Sequence, residues 1–226
     1  MSRKRVVIFI SGGGSNMEAL IRAAQTPDFP AEIVSVFSDK PDAGGLAKAQ
    51  AAGIATQAFA RKDYASKDAH EDAILEALAA LNPDIICLAG YMRLLSGRFI
   101  APYEGRILNI HPSLLPLFPG LHTHQRALDS GMKLAGCTVH LVTEGMDEGP
   151  ILAQAAVPII DGDTDDSLAA RVLKAEHKIY ALALSKFATG NTEAGVARYN
   201  GDQRLTPNRR LGATNSSHVN FSLTKL

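Results

Sequence analysis

A chain of 226 residues can bury a sizeable core and most simply forms one domain, with room for two lobes. Its 23 basic and 23 acidic residues balance, which excludes the concentrated positive charge of a broad nucleic-acid or membrane binder but not a local anion site. Its two cysteines, Cys87 and Cys137, lie inside apolar runs without Cys-x-x-Cys spacing, so buried reduced thiols are expected rather than a disulfide framework.

The N-terminus is basic, but only a short apolar run follows before Ser11 and three glycines. That predicts a first strand over residues 6–10, not a secretory signal. No apolar stretch approaches membrane-spanning length, so a soluble cytoplasmic protein is expected. Ser11-Gly12-Gly13-Gly14-Ser15-Asn16 reads as a turn and residues 17–25 have helical spacing, broken by Pro27 and Pro30. A second strand is predicted at 33–37, an alanine-rich helix at 43–52 closed by Gly53, and a weak third strand at 56–59. Ser66 has the character of an N-cap for a helix to about residue 81, stopped by Pro83. Residues 85–89 form a continuous apolar strand. This alternation implies βαβ units and a parallel sheet, hence a doubly wound, mostly parallel α/β fold with helices on both faces.

The second half has a different pattern. A short helix is predicted at 93–103, a central strand at 107–110, a short helix at 124–130, and two strands at 134–142 and 151–159 that pair across a loop of residues 143–150. Thr164-Asp165-Asp166-Ser167 opens a long helix to about 187, with acids at its positive end. After Gly190 the sequence is polar and patternless. One domain is expected over 1–207, with a phosphate-binding lobe at about 1–103 and a catalytic lobe at about 104–190, and poor order over 208–226.

Two stretches carry chemistry on residue grounds alone. In Ile107-Leu108-Asn109-Ile110-His111-Pro112-Ser113-Leu114-Leu115-Pro116, Asn109 and His111 are two apart on a strand and so share a face. An amide donor and an imidazole emerge side by side at a strand end, where open parallel sheets bind ligands. The glycine turn is no dinucleotide fingerprint, since the third glycine of Gly-x-Gly-x-x-Gly would fall at Met17, and no Gly-Lys-Ser/Thr follows. Three adjacent glycines between strand and helix still let backbone amides approach one phosphate, with Ser15 and Asn16 as further donors. His111, His122 and His124 with Asp147 raise the question of zinc, but no His-Glu-x-x-His helix occurs and both cysteines fall in strands, so no metal is expected.

Asn109-Ile110-His111-Pro112-Ser113-Leu114-Leu115-Pro116, followed by Pro119-Gly120-Leu121-His122-Thr123-His124, resembles the folate-dependent formyltransferases. The resemblance spans about residues 6–187. It implies transfer of a formyl group from 10-formyltetrahydrofolate, as co-substrate, to the amine of 5'-phosphoribosylglycinamide in purine synthesis. By the same resemblance the glycine turn (Gly12, Gly13, Gly14, Ser15, Asn16) holds the phosphoribosyl substrate, although many relatives carry a side chain at the position of Gly13. Glu176 matches a position that contacts the ribose. Met92, Arg93, Leu94 and Leu95, with Glu144, Gly145, Met146 and Asp147, line the folate pocket largely through backbone groups, Lys67 falls near the formyl-folate, and Asn109 faces it. Asp147-Glu148-Gly149-Pro150 matches the position of an acid that meets the catalytic histidine.

Asn109, His111 and Asp147 are therefore the expected catalytic group. The amine attacks the formyl carbon, Asn109 and a protonated His111 stabilise the oxyanion, and the imidazole shuttles the proton to the departing folate nitrogen. The implied partners are small molecules, with neither nucleic acid nor membrane, in a monomer or homodimer. The alternatives are a formyltetrahydrofolate hydrolase and a non-catalytic module that binds a phosphoribosyl ligand. The second explains the glycine turn but gives no reason for Asn109, His111 and Asp147 together.

Overall fold

The computed structural model describes residues 2–190 and 195–196. The tail expected from residue 208 lies outside the described residues. The elements run β1 (Lys4–Ile10), α1 (Ser15–Ala24), β2 (Ala31–Ser38), α2 (Gly44–Ala51), β3 (Ala55–Ala58), α3 (Lys67–Leu81), β4 (Ile85–Leu88), α4 (Gly97–Ile100), β5 (Ile107–His111), α5 (Thr123–Asp129), β6 (Leu134–Leu141), β7 (Ile151–Pro158), α6 (Asp165–Ala188) and β8 (Gly195–Val196). Among the described residues, one sheet carries all eight strands in the order β3-β2-β1-β4-β5-β6-β7-β8.

From β3 to β5 the strands are parallel, β6 is antiparallel to β5 and to β7, and β8 is parallel to β7. The chain leaves β1 outward to β2 and β3, then returns to β4 on the other side of β1. That reversal opens a crevice at the C-terminal ends of β1 and β4, the usual ligand position in such sheets.

The strands owe their runs of apolar residues to helices on both faces. Val6, Ile8 and Ile10 of β1 point into one core with α1, α2 and α6, while Val7 and Phe9 point into a second with α3 and α4. The same alternation in β5 sends Leu108 and Ile110 to the first core and Ile107 to the second. Asn109 and His111 therefore continue the Ile107 face.

Local chemistry sets most boundaries. The Ser66 side chain accepts the Ala69 N–H at the start of α3, as the sequence predicts, and Thr164 with Ser167 forms a reciprocal capping box on α6. The helix predicted over 93–103 is a correction. Only α4 and a 3-10 turn at Ala101–Tyr103 are helical, and residues 91–96 run irregularly along the sheet edge. Gly90 has a left-handed φ of 77°, which turns the chain away from helix. Ser96 caps α4 four residues before its end, and its N–H is taken by the buried Glu71 carboxylate. Leu94 is accordingly 66% exposed instead of joining the core, while Leu95 packs against the second core.

Candidate active site

The turn between β1 and α1 places Gly12 and Gly13 in the open, where a Cβ would meet nothing within 4 Å. Gly14 is different. Its φ is 71°, and a Cβ there would lie 3.0 Å from Met17 Cε and 3.1 Å from Gly45 Cα. It is also the N-cap of α1 and supplies no side-chain cap, so the first-turn N–H groups have no protein partner from that position. Asn16, in that first turn, is buried.

Glu176 lies on α6, 160 residues further along the chain, yet Asn16 Nδ2 donates to its Oε2 at 2.6 Å. Glu176 is 7% exposed, not the surface acid that its helix position allowed. Burial pushes its carboxyl above the ordinary value of 4.5, partly opposed by the Asn16 hydrogen bond. Asn16 Oδ1 is buried without a hydrogen-bond partner. The structure thus brings together the glycine turn, Asn16 and Glu176. They combine anion-seeking amides with carbonyl and carboxylate acceptors suited to hydroxyl groups.

At the end of β5, His111 Nδ1 is 3.3 Å from Asp147 Oδ2 and its Nε2–H donates to Phe118 O at 3.0 Å. Each ring nitrogen of His111 thus faces an oxygen acceptor. Asp147 also accepts the Gly120 N–H at 2.9 Å and adopts a left-handed φ of 56°, so the loop after β6 and the loop after β5 are joined through one carboxylate. Arg126 steadies the second loop, with its guanidinium 5.3 Å from the centre of the Phe118 ring and Nη1 donating to Pro119 O at 2.6 Å.

A fourth member of this group escaped the sequence reading. His140 sits directly opposite Asn109 in the β5–β6 register. Its Nδ1–H donates to Leu141 O at 2.9 Å, which leaves Nε2 to accept Asn109 Nδ2–H at 3.1 Å. Burial lowers the pKa of His140 below 6.5, outweighing the Leu141 hydrogen bond and the Asp147 charge that oppose it. A neutral His140 therefore orients the Asn109 amide. Nothing short of the strand register signals this contact, because the two residues lie 31 positions apart.

The remaining expected residues divide. Met92 and Leu94 present apolar side chains to solvent, 64% and 66% exposed. Arg93 Nε donates to Asp39 at 2.7 Å. Glu144 packs over Gly97 in a cleft of ≈ 410 Å³ that also includes Val142 and Thr143. Met146 and Asp147 line a different groove of ≈ 300 Å³ with Leu115 and Pro119. The nearest atoms a Cβ on Gly145 would meet belong to the movable Glu148 side chain. Lys67 opens α3 half-exposed, 3.7 Å from Glu71. His122 is exposed and His124 turns into a small cavity with Thr123, so the histidines do not converge. Among the described residues no group of three or more His, Cys, Asp or Glu is placed to hold a metal ion. No described helix is long and apolar enough to cross a membrane.

Residues 4–184 match the family described as formyl transferase. The chain is 44% identical over 203 residues to phosphoribosylglycinamide formyltransferase of Escherichia coli, covering 89% of this chain and 96% of that protein. It is 46% identical over 193 residues to the human trifunctional purine biosynthetic protein adenosine-3, covering 85% of this chain but only 19% of that much longer protein. The crystal structure of phosphoribosylglycinamide formyltransferase from Brucella melitensis is similar with a TM-score of 0.81 and 85% identity, over 84% of this chain and 97% of that one.

Proposed function

The chain belongs to the formyl transferase family, and we propose that it moves a formyl group from 10-formyltetrahydrofolate to the amine of 5'-phosphoribosylglycinamide in purine biosynthesis. The observation that carries this reading is the pairing of two unlike subsites on one sheet edge. The glycine turn with Asn16 and Glu176 ends β1, and Asn109 with His111 ends β5. Only β4 separates those strands, so two strand spacings, about 10 Å, divide them. A phosphate, a sugar ring and a short amide arm bridge that span. The α1 amides take the phosphate, Glu176 and Asn16 take ribose hydroxyls, and the terminal amine reaches Asn109.

The chemistry then falls to the strand-end group. The amine lone pair attacks the formyl carbon, forming the C–N bond as the carbonyl π pair moves to oxygen. Asn109, its amide oriented by His140, donates to that oxygen, and His111 does so after exchanging the Phe118 carbonyl for the substrate. One such donor is worth about 3 kcal/mol in the transition state. Collapse breaks the bond to the folate nitrogen, which leaves with a proton delivered by His111, while the proton lost from the amine returns to the same ring. Asp147 holds the ring in place throughout. The backbone of residues 92–95, flanked by the exposed Met92 and Leu94, and the loop of residues 143–150 supply the polar edges and apolar walls for the pterin.

The test is tetrahydrofolate formation from 10-formyltetrahydrofolate with and without phosphoribosylglycinamide. Product that depends on the amine supports the transferase. Product without it indicates the hydrolase, and none in either case sinks the reading.

A further inference from the structure

Beneath both subsites lies a carboxylate that the proposed chemistry does not use. Asp39 follows the end of β2 and is 4% exposed. Its Oδ1 accepts the Ser11 hydroxyl at 2.5 Å, and its Oδ2 accepts Arg93 Nε–H at 2.7 Å. With its proton committed to Asp39, the Ser11 oxygen accepts the Met92 N–H at 2.8 Å. The Ser11 N–H donates to Gly90 O at 3.1 Å, and Gly12 O accepts the Gly45 N–H at 3.0 Å. The connections leaving β1, β2 and β4 are therefore tied together at one point. Ser11 itself is buried, so the network is shielded from competing water except at the half-exposed Arg93.

Two of these connections, those leaving β1 and β4, are the ones given above to the two ligands. Ser11 immediately precedes residues 12–14 of the phosphate turn, and Met92 and Arg93 open the pterin segment. A ligand that orders one connection removes part of the ordering cost for a ligand on the other, provided that the link between them is stiff. We infer that Asp39 is a positioning residue that couples the phosphoribosyl subsite to the folate subsite, so that each ligand tightens the binding of the other. This rests on the assignment of the two loops under the proposed function. If Asp39 served the fold alone, its loss would lower the melting temperature and leave the two ligands as coupled, or as independent, as before.

The test is isothermal titration of the full chain with phosphoribosylglycinamide, alone and with saturating tetrahydrofolate, which carries no formyl group and so permits no turnover. The parent protein should bind about fivefold tighter in the second case, and linkage requires the same factor for tetrahydrofolate titrated with and without the amine. In Asp39→Ala the factor should fall to one while each ligand still binds. Asp39→Asn keeps acceptor capacity for one partner and should fall between. If Asp39→Ala does not fold, Ser11→Ala removes the Ser11–Asp39 and Met92–Ser11 bonds, leaves Asp39 paired with Arg93, and should also abolish the factor. A parent that binds both ligands independently overturns this inference alone, as does a folded Asp39→Ala or Ser11→Ala that keeps the parent's factor. A parent that does not bind phosphoribosylglycinamide overturns the functional reading beneath it.

Discussion

Replacing Asn109 with Asp preserves the shape of the side chain and reverses its hydrogen-bond role. In the native protein His140 gives its only proton to Leu141 O and needs a donor at Nε2, which Asn109 supplies from 3.1 Å. An aspartate there has no N–H to give, either to His140 or to an oxyanion. Loss of one oxyanion donor costs about 3 kcal/mol, and at about 1.4 kcal/mol per decade kcat should fall by about two orders of magnitude. The KM values should change much less, because the donor acts on charge that develops only in the transition state. The new carboxylate also favours a proton on Nε2, so the His140 titration, now held below 6.5 chiefly by burial, should move up. Steady-state tetrahydrofolate formation reads the first effect and imidazole NMR reads the second. A kcat within about fivefold of the parent, or a His140 titration that does not move, would refute the paired roles of Asn109 and His140.

On the proposed mechanism Asp147 acts through His111, so Asp147→Asn combined with His111→Ala should cost little beyond the worse single change. Fully multiplicative losses in kcat would separate the two. At Gly12 a Cβ meets no protein atom within 4 Å, so Gly12→Val should hold its melting temperature to within about 1–2 °C yet raise the KM for phosphoribosylglycinamide about tenfold or more. Equal damage to the folate KM would reduce the turn to a structural role. Glu176 has a folded pKa above its ordinary 4.5, so the stability it contributes is fully present below 4.5 and is lost as pH rises through the folded value. Glu176→Gln should therefore melt higher than the parent at pH 7.5 but not at pH 4, and bind phosphoribosylglycinamide more weakly at both. Parallel melting curves at the two pH values would show that the burial cost is small.

Much of the frame is legible in the sequence because it is written in local chemistry. Ser66 and Thr164 announce their helices through caps that involve only the next three residues. Asn109 and His111 share a face because a strand alternates, whatever surrounds it. Elsewhere the decisive contacts are remote. Residues 93–96 have helix-compatible side chains, and what holds them out of a helix is the turn at Gly90 together with Glu71, which lies 25 positions before Ser96. His140 joins the site through strand register, and Glu176 is buried only because α6 folds back across α1. Asp39 carries no motif at all. Its importance arises from the way three strand ends converge, which is a property of topology.

The return of α6 has a consequence for the life of the chain. Leu168, Val172, Ile179, Tyr180 and Leu184 close the core over β4, β5, β6 and β7, and Glu176 on the same helix accepts the Asn16 amide. Synthesis runs from the N-terminus, so a growing polypeptide exposes the uncovered sheet face until this helix has left the ribosome. On the proposed function, capture of the phosphoribosyl ligand becomes available only at that moment. A ligand that recognises the finished state alone draws the folding equilibrium toward it. A shortened chain that lacks α6 has neither the covered sheet face nor Glu176, and so gains no such stabilisation.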